Sequence, residues 1–176
     1  VHFAKAVELD PQNEDARRCL GAVVAEQECR KALELDPDDP QVHYRLGSLL
    51  ARIGKTGEAV EHLEEAVRLK PDFLAAVNSL AWLLATCPKD GVRDGVRAVA
   101  LAERACKATG YKIPALLDTL AAAQAEAGRF AEAIAAATRA VELADAGESP
   151  LADAIRARLK LYKAGRPCRQ QSQGGM

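Results

Sequence analysis

The chain of 176 residues carries a formal net charge of −1, with 49% hydrophobic, 28% charged and only 4% aromatic residues. Near-neutral charge without a basic stripe leaves no electrostatic footprint for nucleic acid or an anionic membrane surface, and an alanine-rich, aromatic-poor composition suits closely apposed helices. The most apolar stretch, 73–87, is shorter than the ~20 residues that span a bilayer and contains Asn78 and Ser79, so it reads as a core helix and direct membrane insertion is not expected.

In chain order, Phe3, Ala6 and Pro11 look like the close of a helix pair that begins upstream, which reads as a fragment of a longer repeat array. Leu20-Gly21 marks the start of the next pair, but Ala32-Leu33-Glu34-Leu35-Asp36-Pro37, the typical close of a second helix, follows too soon. Between Ala22 and Lys31 there is no Gly, Pro, Asn or Asp to make a turn. This predicts one long helix from about Glu14 to Leu35 in preference to a strained short pair. Losing half a hairpin should uncover Leu20, Val23 and Val24, an apolar flank that favours self-association through the shortened repeat.

From Pro40 the pattern becomes regular, with His43, Leu46, Gly47, Leu50, Ala59, Leu63, Ala66 and Pro71 at positions 4, 7, 8, 11, 20, 24, 27 and 32 of a 34-residue unit. Leu46 and Leu50 lie one turn apart on a first helix, Gly47 leaves room for a neighbouring backbone, and Ala59, Leu63 and Ala66 make an i, i+4, i+7 stripe on a second. Gly54 and Gly57 are expected to bracket the turn between them, and Pro71 to stop the second helix. Leu80-Ala81 opens the next unit, whose stripe, Ala98, Ala102 and Ala105, arrives five residues late after Cys87-Pro88-Lys89-Asp90-Gly91, so its turn is lengthened. Leu120-Ala121, Gly128, Ala133, Ala137 and Ala140 return to register, with Gln124 where a large apolar residue is expected. Ser149 and Pro150 then read as cap and first residue of a last helix with Leu151, Ile155, Leu159 and Tyr162 on one face, and with Arg156, Arg158, Lys160 and Lys163 turned to water. From Gly165 onward no periodicity remains, which predicts a disordered tail.

These offsets closely resemble the tetratricopeptide repeat, over roughly residues 40–164. The resemblance implies an all-α fold, a right-handed superhelical solenoid of antiparallel helix pairs with a C-terminal capping helix. Its divisions are partial repeats over 1–39, repeats over 40–73, 74–113 and 114–147, a capping helix over 148–164 and a tail over 165–176. It further implies a concave face lined by positions 2, 5, 9 and 12 of each first helix. Here these are Gln41, Tyr44, Ser48 and Ala51, then Ala75, Asn78, Trp82 and Ala85, then Ala115, Asp118, Ala122 and Ala125. Gln41, Tyr44, Ser48, Asn78, Trp82 and Asp118 are the candidate partner-binding residues. Trp82 is either an anchor pocket, since aromatic residues dominate binding hot spots, or packing under the lengthened turn. The family's carboxylate clamp for chaperone C-termini has only Asn78 as a counterpart, and the asparagine that precedes each Leu-Gly pair in members associated with protein O-glycosylation is replaced by Arg45, Ser79 and Thr119. The run 80–88 with 98–121 resembles the closing repeats of large bacterial members, in which the array is often fused to a kinase, glycosyltransferase or membrane domain.

No catalytic, cofactor-binding or metal-binding set stands out. Gly54-Lys55-Thr56 lacks the first glycine and preceding strand of a phosphate-binding loop and reads as an inter-helix turn. His2, His43 and His62 have no metal-ligand spacing and read as solvated or partly packed. Five cysteines without a C-x-x-C pair read as reduced structural thiols in a reducing, cytoplasmic compartment. Glu61, Glu64 and Glu65 suit weak surface ion pairs. The expectation is a non-catalytic scaffold that holds a protein or peptide ligand in its concave groove. The alternative is a regulatory or substrate-recruiting segment of a larger enzyme whose catalytic domain lies outside this chain.

Overall fold

A computed structural model of the chain describes residue 10 and residues 12–170, and these are all-helical: eight α-helices, one 3-10 turn and no strand. They divide into two compact units, the first ending at Lys70 and the second opening at Pro71.

The first unit holds α1 (Glu14–Leu35), α2 (Pro40–Arg52) and α3 (Thr56–Leu69). α1 runs through the Ala22–Lys31 stretch without a break, because nothing there offers the backbone an alternative to its helical hydrogen bonds. It packs against α2 with Cys29 buried, while Val23, Val24 and Leu35 stay exposed and Leu20 is half-buried. The candidate earlier helix close at Phe3, Ala6 and Pro11 lies outside the described residues. Asp39 caps α2, its Oδ1 accepting from the Gln41 amide at 2.7 Å, and Pro40 takes the first turn, where its missing N–H costs nothing. α2 and α3 form the antiparallel pair expected from the 34-residue pattern, with Leu46, Leu50, Ala59, Leu63 and Ala66 in its core. Gly47 is required by that packing: a Cβ there would stand 2.8 Å from Leu63 Cγ and 3.1 Å from the Ala59 carbonyl oxygen. Gly54, at φ +81°, turns the chain and lets the Lys55 amide reach back to Leu50 O at 2.9 Å, whereas Gly57 lies inside the first turn of α3. Gly54-Lys55-Thr56 is thus an inter-helix turn, and the Lys55 ammonium is held by Glu26 on α1 at 2.8 Å. Arg30 joins the same Glu26 to Glu58 of α3 at 2.9 and 2.7 Å.

The second unit contains α4 (Leu74–Thr86), the 3-10 turn Asp90–Val92, α5 (Gly95–Ala108), α6 (Pro114–Glu126), α7 (Phe130–Ala146) and α8 (Ala152–Lys163). α4 packs on α5 and α6, α5 on α6, α6 on α7, and α7 on α8. The second-helix stripes Ala98, Ala102, Ala105 and Ala133, Ala137, Ala140 are all buried, small side chains letting paired helices approach closely. The lengthened turn is built rather than slack. Arg93 donates to the Cys87 carbonyl at 2.8 Å and pairs with Asp90, the Asp94 amide bonds Leu84 O at 3.0 Å, and Asp94 caps α5 through the Arg97 amide at 2.9 Å. Gly95 then passes so close to the end of α6 that a Cβ would lie 2.7 Å from the Ala127 nitrogen. Gln124 is buried at its register position with Oε1 lacking a partner.

Two expectations at the C-terminal end differ from the structure. The last helix opens at Ala152 rather than at Pro150, with Ser149 Oγ accepting from the Leu151 amide at 3.3 Å in the preceding turn. Residues 165–170, read as the start of a disordered tail, are held against the unit, while 171–176 lie outside the described residues. Gly165, at φ +65°, ends α8, with its amide on Tyr162 O and the Arg166 amide on Leu161 O, each at 3.0 Å. The chain then doubles back until the Gln170 amide meets Thr86 O at 2.8 Å. Periodicity does not register such a segment, because its anchors are main-chain hydrogen bonds, one arginine and the half-buried Pro167 and Cys168 rather than a repeating apolar face.

Candidate functional site

The first-helix positions fall into two sets, one in each unit. On α2, Gln41 is exposed and Tyr44, Ser48 and Ala51 are half-buried along one face, as spacings of three and four residues require. Ser48 Oγ is buried without a hydrogen-bond partner.

In the second unit α4 and α6 supply the corresponding face, and the same chain covers it. Ala85 is 0% exposed, Ala122 and Ala125 1% and Asp118 6%, at positions that face solvent in an open groove. α8 and the segment 165–170 reach this face through Arg158, Arg169 and Gln170. Arg158, expected to point to water, turns inward: its Nε and Nη2 donate to the two oxygens of Asp118 at 2.8 and 2.6 Å, a bidentate charge-assisted pair. The same guanidinium lies 5.3 Å from the Trp82 ring centroid, a cation–π contact. Trp82 is half-buried, and its carbonyl accepts from Thr86 Oγ1 at 2.7 Å. Asp118 and Trp82 are therefore brought together through a residue of α8. Asn78 shares the Trp82 face, half-buried, with its Oδ1 buried and unpartnered. Ile155 and Tyr162 anchor α8 as its apolar spacing predicts, whereas Leu151 remains exposed.

Burial dominates the electrostatics here. It pushes the Asp118 carboxyl above its ordinary range even though Arg158 pulls the other way. The Tyr162 hydroxyl, buried and unpartnered, and the half-buried Cys168 thiol are pushed up by the same cause. At the edge of the face, Glu126 closes α6 with its carboxylate between two arginines, Arg93 at 2.9 Å and Arg169 at 2.5 Å. Arg158, Glu126 and the Thr86 carbonyl all escape sequence reasoning; a lone arginine in a basic helix and a glutamate at a helix end carry no periodic signal.

A second cluster absent from the sequence reading lies in the first unit. His43 on α2 and His62 on α3 bring their Nδ1 atoms to 3.0 Å, and His43 Nε2 stands 2.9 Å from the Pro37 carbonyl. Since a carbonyl only accepts, His43 Nε2 donates to it, and one proton lies between the two Nδ1 atoms. Burial first, then the His43 and Arg30 charges, lower the His62 pKa. No group of three or more His, Cys, Asp or Glu side chains suited to a metal ion occurs among the described residues. Cys29, Cys87 and Cys106 are buried free thiols, and among the described residues no helix is long and apolar enough to cross a membrane.

The family profile described as "Tetratricopeptide repeat" matches residues 28–61, spanning the end of α1, all of α2 and the start of α3. No curated protein sequence matches the chain. Among solved structures, "Crystal structure of MamA" is 19% identical with a TM-score of 0.61, covering 83% of this chain and 86% of that one. "MamA 41-end from Desulfovibrio magneticus RS-1" is 19% identical with a TM-score of 0.63, covering 85% of this chain and 84% of that one. At this identity the likeness is one of fold.

Proposed function

We propose that the chain, whose residues 28–61 match the tetratricopeptide-repeat profile, is a tetratricopeptide-repeat protein serving as a non-catalytic scaffold whose first-helix faces hold a peptide or helix of a protein partner. The observation that carries this reading is the α2 face, where exposed Gln41 stands beside half-buried Tyr44 and Ser48. An amphipathic aromatic at the rim of a helix pair is the kind of anchor that dominates interfaces. In the second unit, Asn78, Trp82 and Asp118 form the corresponding binding positions once their cover is displaced. Self-association is a further contact of the same scaffold, supported by exposed Val23 and Val24 on α1.

The test is affinity recovery from native lysate with wild type beside Gln41→Ala/Tyr44→Ala, the variant first shown by circular dichroism to keep its helix content. A partner recovered by wild type and lost by the variant supports binding at the α2 face. Equal recovery refutes it and favours the alternative, a recruiting segment that works only beside a catalytic domain in a longer chain. For self-association, light scattering should show a concentration-dependent mass that Val23→Asp/Val24→Asp abolishes.

A further inference from the structure

Residues 165–170 occupy the face of α4 and α6 in the way a bound peptide would. After the Gly165 turn the chain runs without helical structure and makes two kinds of contact at its far end. The Gln170 amide donates to Thr86 O at 2.8 Å, one of the terminal carbonyls that α4 itself leaves unpaired. Arg169 forms an ion pair, without hydrogen-bond alignment, by placing Nη1 2.5 Å from Glu126 Oε2, on a carboxylate whose side chain is only 13% exposed, while Nη1 itself donates to the Cys168 carbonyl at 3.0 Å. Between Gly165 and these contacts, Cys168 is half-buried. None of these is an apolar staple, and a main-chain amide plus one arginine is chemistry that any extended peptide with a suitably placed arginine can reproduce.

We infer that the α4–α6 face of residues 71–176 is a receptor for an extended, arginine-bearing peptide, and that residues 165–170 are its resident, displaceable occupant. The inference rests on the reading of the chain as a peptide-binding scaffold and names both the ligand chemistry and the regulation of its second face. Glu126 selects the arginine and Thr86 O takes a backbone amide. The segment's tether to α8 gives it an effective concentration on the order of millimolar, so a free peptide making equal contacts competes poorly until the segment is released.

The experiment uses the full chain and a fluorescein-labelled peptide of its own residues 164–170, with serine in place of Cys168, read by fluorescence anisotropy at low salt. In the chain, Arg169→Glu sets two carboxylates against each other and releases the segment while leaving Glu126 and Thr86 O in place. Expected are at least tenfold tighter peptide binding to Arg169→Glu than to wild type and loss of that gain when Glu126→Gln is added. A peptide with alanine for arginine at position 169 should not bind. Release is read independently as faster reaction of the Cys168 thiol with Ellman's reagent, assigned by the Cys168→Ser chain; Arg169→Ala serves as the milder variant, with helix content checked for each. Faster Cys168 labelling without tighter peptide binding overturns the receptor, and unchanged labelling in both Arg169 variants overturns displacement. Partner recovery that depends on Gln41 and Tyr44, alongside absent peptide binding, removes this inference alone. Peptide binding as expected with partner recovery indifferent to those residues removes the α2 reading instead.

Discussion

Replacing Arg158 with leucine leaves the Asp118 carboxylate in place without its bidentate partner. The side chains are 9% exposed for Asp118 and 18% for Arg158, so water cannot readily take over. Removing one member of a buried pair costs about 3–5 kcal/mol. The partial exposure of Arg158 and the loss of a cation–π contact worth ~1 kcal/mol offset one another, leaving the cost at about 3–5 kcal/mol, at least roughly a hundredfold in the folding equilibrium. The sign with pH follows from the raised Asp118 pKa. A carboxyl whose folded pKa lies above its unfolded value binds its proton more tightly when folded, so stability is gained as pH falls through the folded pKa. Without Arg158 that pKa rises further, and the deficit of the variant shrinks on acidification from pH 7. Urea unfolding followed by the fluorescence of Trp82, the single tryptophan, reads the second unit directly. Asp118→Asn/Arg158→Leu should recover most of the loss, because the uncompensated charge has gone. A deficit below ~1 kcal/mol at neutral pH, or one that does not change with pH, refutes the reasoning.

Gly47→Ala forces a Cβ to within 2.8 Å of Leu63 Cγ and should cost about 1–3 kcal/mol by chemical denaturation, whereas Gly57→Ala, with nothing within 4 Å, should be neutral or stabilising. Gly95→Ala meets backbone at 2.7 Å and should lower the stability of the second unit, read at Trp82, by a similar amount. His62 has a folded pKa below its ordinary value of 6.5, so its contribution is present above that pH and lost as pH falls through the folded pKa. Thermal unfolding of wild type should therefore lose more stability between pH 7.5 and 5 than His62→Gln, and parallel profiles would count against the shared-proton pair. Burial pushes the Cys106 thiol up to about 11, so iodoacetamide at pH 8 should modify it only after unfolding, as peptide mapping would show.

Local pattern alone determined the helices of this protein. The 34-residue spacing from Pro40 to Phe73 set the α2–α3 pair, the alanine stripes identified the second-helix faces, and the absence of turn residues between Ala22 and Lys31 made α1 continuous. These features depend on residues within a turn or two of one another, where side-chain direction follows from helical geometry. Contacts between elements depend on register and approach, which periodicity does not encode. Arg158 and Asp118 are 40 residues apart, His43 and His62 19 apart, and Gln170 finds Thr86 only because Gly165 sends the chain back across the α4–α6 face. Which arginine turns inward, which face is covered and where the last residues rest were decided by tertiary structure, because a buried charge must find its partner and an unpaired helix carbonyl takes the donor that packing brings within reach.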